Sequence, residues 1–198
     1  MSGFVDQLQW LVTMSKLNFH VLVIILAGLW GIQIINASLG YRLNYLGILP
    51  REAPGLVGIM FAPLLHGSFT HLLFNSIPLF ILANFILLEG FTSFIAITLI
   101  ITVFSGIAVW LVGRKALHVG ASGLIMGYWG FLLLAAVISP SVLTIFLIII
   151  CLYYFGGFAS SLLPEEGSSW ESHVFGFLAG LLTSYLHLQD YITPYLIS

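Results

Sequence analysis

Two side chains suited to nucleophilic catalysis stand at the heads of two different apolar segments. Ser122 lies in the tetrapeptide Gly120-Ala121-Ser122-Gly123, and His173 lies near the start of a later apolar segment. A serine hydroxyl is a weak nucleophile until a positioned base removes its proton. Imidazole, with an ordinary pKa of about 6.5, suits general-base work at neutral pH. Ser122 and His173 are therefore the candidate catalytic pair.

The acidic residues do not supply an obvious third member for this pair. Asp6 and Asp190 lie near the termini, and other carboxylates lie in a predicted loop ahead of His173. Glu171, two residues before His173, would point away from it on a helix. We therefore expect a Ser-His dyad rather than a triad.

His71 and Asn75 are spaced as an i, i+4 pair, which places them on one face of a helix. Attack on a carbonyl creates an oxyanion, which needs hydrogen-bond donors arranged in advance. We expect the side-chain N–H groups of this pair and the backbone N–H of Ser122 to supply them. His66 precedes the pair and is predicted to line the same water-filled cavity together with His71, Asn75 and His173.

The composition indicates an integral membrane protein. Sixty per cent of the 198 residues are hydrophobic and only 6% are charged. Five Lys and Arg against seven Asp and Glu leave no basic block that could neutralise a phosphate backbone, which excludes nucleic acid as a partner. We expect a multi-pass protein surrounded by membrane lipid, with residues 1–198 forming a single membrane domain.

Charge-free intervals predict six membrane spans, because a hydrocarbon core of about 30 Å needs about 20 apolar residues per helix. The predicted spans are roughly 18–37, 66–88, 92–112, 118–138, 142–163 and 172–188. The first two are separated by the longest loop, which is rich in turn formers, and Ser139-Pro140-Ser141 separates the fourth from the fifth. Because the second, fourth and sixth spans begin on the same side, the candidate residues converge on one membrane face.

Three sequence groupings together resemble the rhomboid family of intramembrane serine proteases. They are His66-x4-His71-x3-Asn75, Gly120-x-Ser122-Gly123 and His173-x2-Gly176-x3-Gly180, in the order and spacing of that family and over more than half of the chain.

The resemblance implies an all-α, six-transmembrane-helix rhomboid-like bundle without a cofactor or metal. It implies an endopeptidase that cuts single-span transmembrane proteins near the membrane boundary. Ser122 would be the nucleophile, His173 the base, and His71, Asn75 and the Ser122 amide the oxyanion hole. We expect the protein in a bacterial inner membrane. The resemblance puts the site on the extracytoplasmic face, whereas the distribution of Lys and Arg favours the opposite orientation.

Other positions are predicted to support this site. Gly123-x3-Gly127 and Gly176-x3-Gly180 favour close packing of the sixth span against the fourth. Met126 stands where many family members carry a tyrosine that packs on the catalytic histidine, so the His173 ring must be oriented by something else. His118, near Lys115, is predicted to lie in interfacial water.

Alternative readings of the same residues remain open at this point. Ser122 could be a small helix-packing residue, and His66, His71 and His173 could form a transition-metal site. The chain could also be a non-enzymatic rhomboid-like binding protein or a small transporter. Inverted repeats, broken helices or intramembrane carboxylates would favour a transporter, and the sequence shows none of them.

Overall fold

The computed structural model describes residues 3–138, 149 and 169–196. In this part of the chain the fold is helical and contains no β-strand; its one β-type pairing is an isolated antiparallel bridge between Ile48 and His118. The helices are α1 (Phe4–Ser38), α2 (Ala53–Phe61), α3 (Phe69–Leu87), α4 (Phe91–Val112), α5 (Ser122–Ile138) and α6 (Trp170–Leu196).

The predicted all-α membrane fold is confirmed. Among the described residues, three helices, α1, α3 and α4, are long and apolar enough to cross a membrane, and α5 is a shorter apolar helix. Helices α3, α4 and α5 lie within or close to the predicted spans 66–88, 92–112 and 118–138, and α6 covers the predicted span 172–188. Apart from residue 149, the predicted fifth span, 142–163, and the turn ahead of it lie outside the described residues.

The first helix is much longer than the predicted span 18–37. Helix α1 has 35 residues, and at 1.5 Å per residue it extends over about 52 Å, well beyond a hydrocarbon core of about 30 Å. The length of a charge-free interval predicts only the part of a helix that can lie in hydrocarbon. No proline interrupts the chain between Phe4 and residue 18, so the helix continues past the predicted boundary. Asn84 Nδ2 donates to Ser15 Oγ at 2.8 Å and ties this extension to α3.

The long loop after α1 contains a helix that the sequence analysis treated as turns. Helix α2 has Pro54 in its first turn. Backbone N–H groups there have no partner within the helix, so a proline, which lacks an N–H, is tolerated and a predicted turn former lies at the start of a helix. Helix α2 packs on α4, because a Cβ atom added to Gly106 would lie 2.6 Å from Ile59 Cγ2. The bridge between Ile48 and His118 holds the α1–α2 loop against the segment that leads into α5.

Glycines bring α5 and α6 into backbone contact. A Cβ atom added to Gly176 would collide with the Gly123 carbonyl oxygen, and one added to Gly180 would collide with the Gly127 carbonyl oxygen. Interhelical approach this close requires small residues, which is the packing that the two Gly-x3-Gly patterns favour. The contact aligns the first turns of α5 and α6, which carry Ser122 and His173.

Candidate active site

Ser122 is the first residue of α5 and follows a tightly held loop. Gly120 has a φ of 127°, a conformation that side chains rarely permit. Its N–H donates to the Ala62 carbonyl at 2.9 Å, and the Ala121 N–H donates to His66 Nε2 at 3.3 Å. The predicted span started at residue 118, but this extended loop delays the helix until Ser122. The nucleophile candidate is therefore anchored by the segment between α2 and α3.

His66 supports this loop and does not line the cavity as predicted. Its side chain is fully buried, and its ring lies edge-on to that of His71 with centroids 5.1 Å apart. Because Nε2 accepts from Ala121, the neutral ring carries its proton on Nδ1. Burial, with a contribution from nearby His71, lowers the pKa of His66 from 6.5 to about 4. His66 is therefore a neutral acceptor that fixes the backbone ahead of Ser122.

His71 and Asn75 face the backbone of Gly120. Ser68 caps α3 by accepting the His71 N–H at 3.0 Å, which sets the start of the helix. A Cβ atom on Gly120 would lie 2.8 Å from His71 Cε1 and 3.7 Å from Asn75 Nδ2. Asn75 is 3% exposed, and its Nδ2 has no hydrogen-bond partner among the described residues. The pair thus presents an unused, buried donor beside the loop that carries Ser122.

A single cavity brings the candidate catalytic residues together. Its volume is about 570 Å³. The residues relevant here that line it are His71, Arg114, His118, Ser122, Ser169 and His173. The predicted cavity also included His66 and Asn75, but both side chains are buried and neither lines it. Ser122 and His173 are each less than a tenth exposed, so the cavity is the place where a substrate would meet them.

Met126, at the position where many family members carry a tyrosine, does not reach the cavity. It is fully buried in the hydrophobic core, and it does not line the cavity. Tyr128, nearby in sequence, directs its hydroxyl to Thr98 Oγ1 at 2.6 Å. The backbone N–H of His173 bonds to the Ser169 carbonyl at 3.4 Å, within the first turn of α6.

Two residues beside the cavity, His118 and Glu171, do not lie where the sequence predicted, and no role was predicted for Arg114. His118 is 3% exposed rather than in interfacial water. Glu171 lies in the first turn of α6 rather than in a loop, and its buried carboxylate pairs with Arg114 at 3.1 Å. A carboxylate is favoured in the first turn of a helix, so the sequence did hold a signal for the position of Glu171.

The metal-site reading receives no support from the described part of the chain. There, no group of three or more His, Cys, Asp and Glu side chains is arranged to hold a metal ion. His66 instead uses its Nε2 to accept from a backbone amide.

Residues 54–190 match the Rhomboid domain family. "Uncharacterized protein Rv1337" of Mycobacterium tuberculosis is 35% identical over 168 residues, which cover 80% of this chain and 70% of that protein. "Uncharacterized protein ML1171" of Mycobacterium leprae is 32% identical over 191 residues, which cover 91% of this chain and 73% of that protein. Proteins with this domain are generally intramembrane serine proteases. With a match across most of the chain, from α2 into α6, this chain is a membrane protein of the rhomboid family.

Proposed function

We propose that this chain is an intramembrane serine endopeptidase that works through a Ser122–His173 dyad. The observation that carries the proposal is the shared cavity, which Ser122, His71 and His173 line together inside a rhomboid domain. A packing serine has no need of a cavity with an imidazole on its wall.

The residues have separable chemical roles in this proposal. Ser122 Oγ attacks the carbonyl carbon of the scissile peptide bond while His173 takes the hydroxyl proton. His173 then gives that proton to the leaving amine, and the acyl group remains on Ser122. A water molecule, deprotonated by His173, attacks the acyl carbon; the bond to Ser122 Oγ then breaks, His173 returns the proton to Oγ, and the carboxylic acid product leaves. The enzyme returns to its starting state without a cofactor.

The negative charge on the tetrahedral intermediate requires donors beside the Gly120 loop. Asn75 Nδ2 supports this role, since it is buried beside Gly120 and makes no other hydrogen bond within the described residues. His71 lies closer to the same backbone, and the Ser122 N–H stands at the positive end of α5. Loss of one such donor in other serine proteases lowers kcat by roughly 100- to 1,000-fold.

The position of the site in the bundle favours transmembrane proteins as substrates. Ser122, His71 and His173 lie at the first turns of α5, α3 and α6, which is one end of the apolar bundle. A substrate peptide bond held there would lie near a membrane boundary, and single-span proteins are the simplest class that fits. The mycobacterial relatives are consistent with a bacterial inner membrane, where we place the protein.

The test is cleavage of a fluorescent single-span reporter by purified protein in liposomes. We expect the unmodified protein to cleave it, and Ser122→Ala and His173→Ala each to abolish cleavage with unchanged helicity. The double variant should be no worse than either single, because members of one catalytic unit fail together. Ser38→Ala is the matched serine control, because Ser38 is the exposed last residue of α1 and does not line the cavity. Turnover by Ser122→Ala would refute the proposal, and reporter binding without cleavage by the unmodified protein would favour the non-enzymatic reading.

A further inference from the structure

A buried ion pair joins the head of α6 to the loop between α4 and α5. Glu171 Oε1 lies 3.1 Å from Arg114 Nε and also accepts the Arg114 backbone N–H at 3.3 Å. The Glu171 side chain is 5% exposed, whereas that of Arg114 is 42% exposed. A buried carboxylate is costly unless it is paired, so Arg114 is the group that makes this position of Glu171 tolerable.

His118 extends this contact into a network of hydrogen bonds. Its Nε2 lies 3.2 Å from the Arg114 carbonyl oxygen, which can only accept, so Nε2 carries the proton. Nδ1 of a neutral ring is then an acceptor for the Ser169 hydroxyl. Ser169 Oγ in turn lies 2.6 Å from Ser172 Oγ, on the residue next to Glu171. Burial, the largest influence, lowers the pKa of His118 and favours this neutral form.

This hydrogen-bond network connects the two segments that carry the proposed dyad. His118 is paired through both backbone groups with Ile48 and lies four residues before Ser122. Glu171 lies two residues before His173, in a first helical turn whose amides have few intrahelical partners. The glycine contacts pack α6 against α5, with Gly123 close to Ser172. The contacts of Arg114 and His118 tie the same first turn of α6 to the loop between α4 and α5.

We propose that Arg114, His118 and Glu171 are positioning residues, whose contacts fasten the first turn of α6, and with it His173, against the segment that leads into Ser122. This inference rests on the proposed function, and it concerns the placement of the His173 backbone at the head of α6. The acidic residue near the dyad therefore acts through Arg114 and does not touch the imidazole as the third member of a triad would.

The experiment compares Glu171→Gln, Arg114→Met and Arg114→Lys with the unmodified protein. Glu52→Gln is the matched control, since the Glu52 side chain is exposed and lies outside the site. Hydrogen–deuterium exchange of a peptide covering residues 169–176 reports the first turn of α6 independently of activity. Reporter cleavage gives kcat and KM, and the rate of labelling by a fluorophosphonate gives the reactivity of Ser122 without a transmembrane substrate.

We expect Glu171→Gln and Arg114→Met to speed exchange in this peptide and to lower kcat and the labelling rate, with KM nearly unchanged. The loss should be roughly 10- to 100-fold, the range for a displacement of reacting groups by about 1 Å. Arg114→Lys should recover part of the loss, because an ammonium pairs with Glu171 but lacks the guanidinium geometry. A protein that carries both Glu171→Gln and Arg114→Met should have a kcat no lower than that of the worse single variant, since the two side chains share one contact.

Unchanged exchange and unchanged kcat in Glu171→Gln would overturn the proposal, and so would a rise in KM alone, which would make Arg114 a substrate contact. If Arg114→Met fails to fold, Glu171→Gln decides, because it keeps the shape of the side chain. If the unmodified protein neither cleaves nor labels, the proposed function fails. The exchange rates then decide the positioning role by themselves: faster exchange supports it and equal exchange refutes it.

Discussion

Alanine in place of Gly120 perturbs the Ser122 loop and the His71–Asn75 pair with one methyl group. Gly120 has a φ of 127°, where a non-glycine residue carries strain of about 1–3 kcal/mol. The added Cβ would lie 2.8 Å from His71 Cε1 and 3.1 Å from His71 Nε2, so the imidazole has to move by several tenths of an ångström. We expect the free energy of unfolding to fall by about 1–3 kcal/mol. We also expect kcat to fall by roughly 100-fold or more, as for the loss of an oxyanion donor.

The assay measures chemical denaturation in detergent together with kcat and KM for a single-span reporter. Gly28→Ala is the control, because this helical glycine has nothing within 4 Å of an added Cβ. It should leave kcat unchanged and raise stability by at most about 1 kcal/mol. A Gly120→Ala protein with native stability and native kcat would show that His71 does not lie against this backbone, and the site geometry would be wrong.

Three further changes test separate parts of the structure. Asn75→Ala should lower kcat by roughly 10- to 1,000-fold with little change in KM; a rise in KM alone would mean that Asn75 binds substrate. His66 should make stability depend on pH: its folded pKa of about 4 lies below the ordinary 6.5, so the unfolded chain binds more protons. The free energy of unfolding should therefore fall by about 3 kcal/mol as the pH drops from about 6.5 to about 4. His66→Gln keeps an acceptor for Ala121 and should lack this part of the pH dependence. Gly180→Ala should separate α5 from α6 and cost about 1–3 kcal/mol, because its Cβ would meet the Gly127 carbonyl; unchanged thermal unfolding would argue against that contact.

The features that the sequence predicted well depend on local geometry. The i, i+4 spacing of His71 and Asn75 fixes one helix face whatever surrounds it, and both side chains do face the Gly120 loop. Charge-free intervals located α3 and α4 because charged residues are costly in hydrocarbon.

The features that the sequence did not predict depend on contacts between distant segments. His66 is fully buried and accepts a hydrogen bond from the Ala121 amide, which lies far along the chain. Glu171 can lie in a buried helical turn only because Arg114 reaches it from the end of α4. Helix α2 exists where turn residues suggested a loop, since Pro54 is compatible with a first helical turn and the helix packs on α4.

The proposed activation of Ser122 by His173 can be tested by covalent labelling with a fluorophosphonate, with the adduct located by mass spectrometry. The reaction takes place at the serine oxygen itself and needs no knowledge of the natural substrate. The proposed mechanism predicts one adduct, on Ser122, that disappears in Ser122→Ala and in His173→Ala while the Ser38→Ala control labels normally. An adduct on another residue, or equal labelling of Ser122 in the His173→Ala protein, would contradict it.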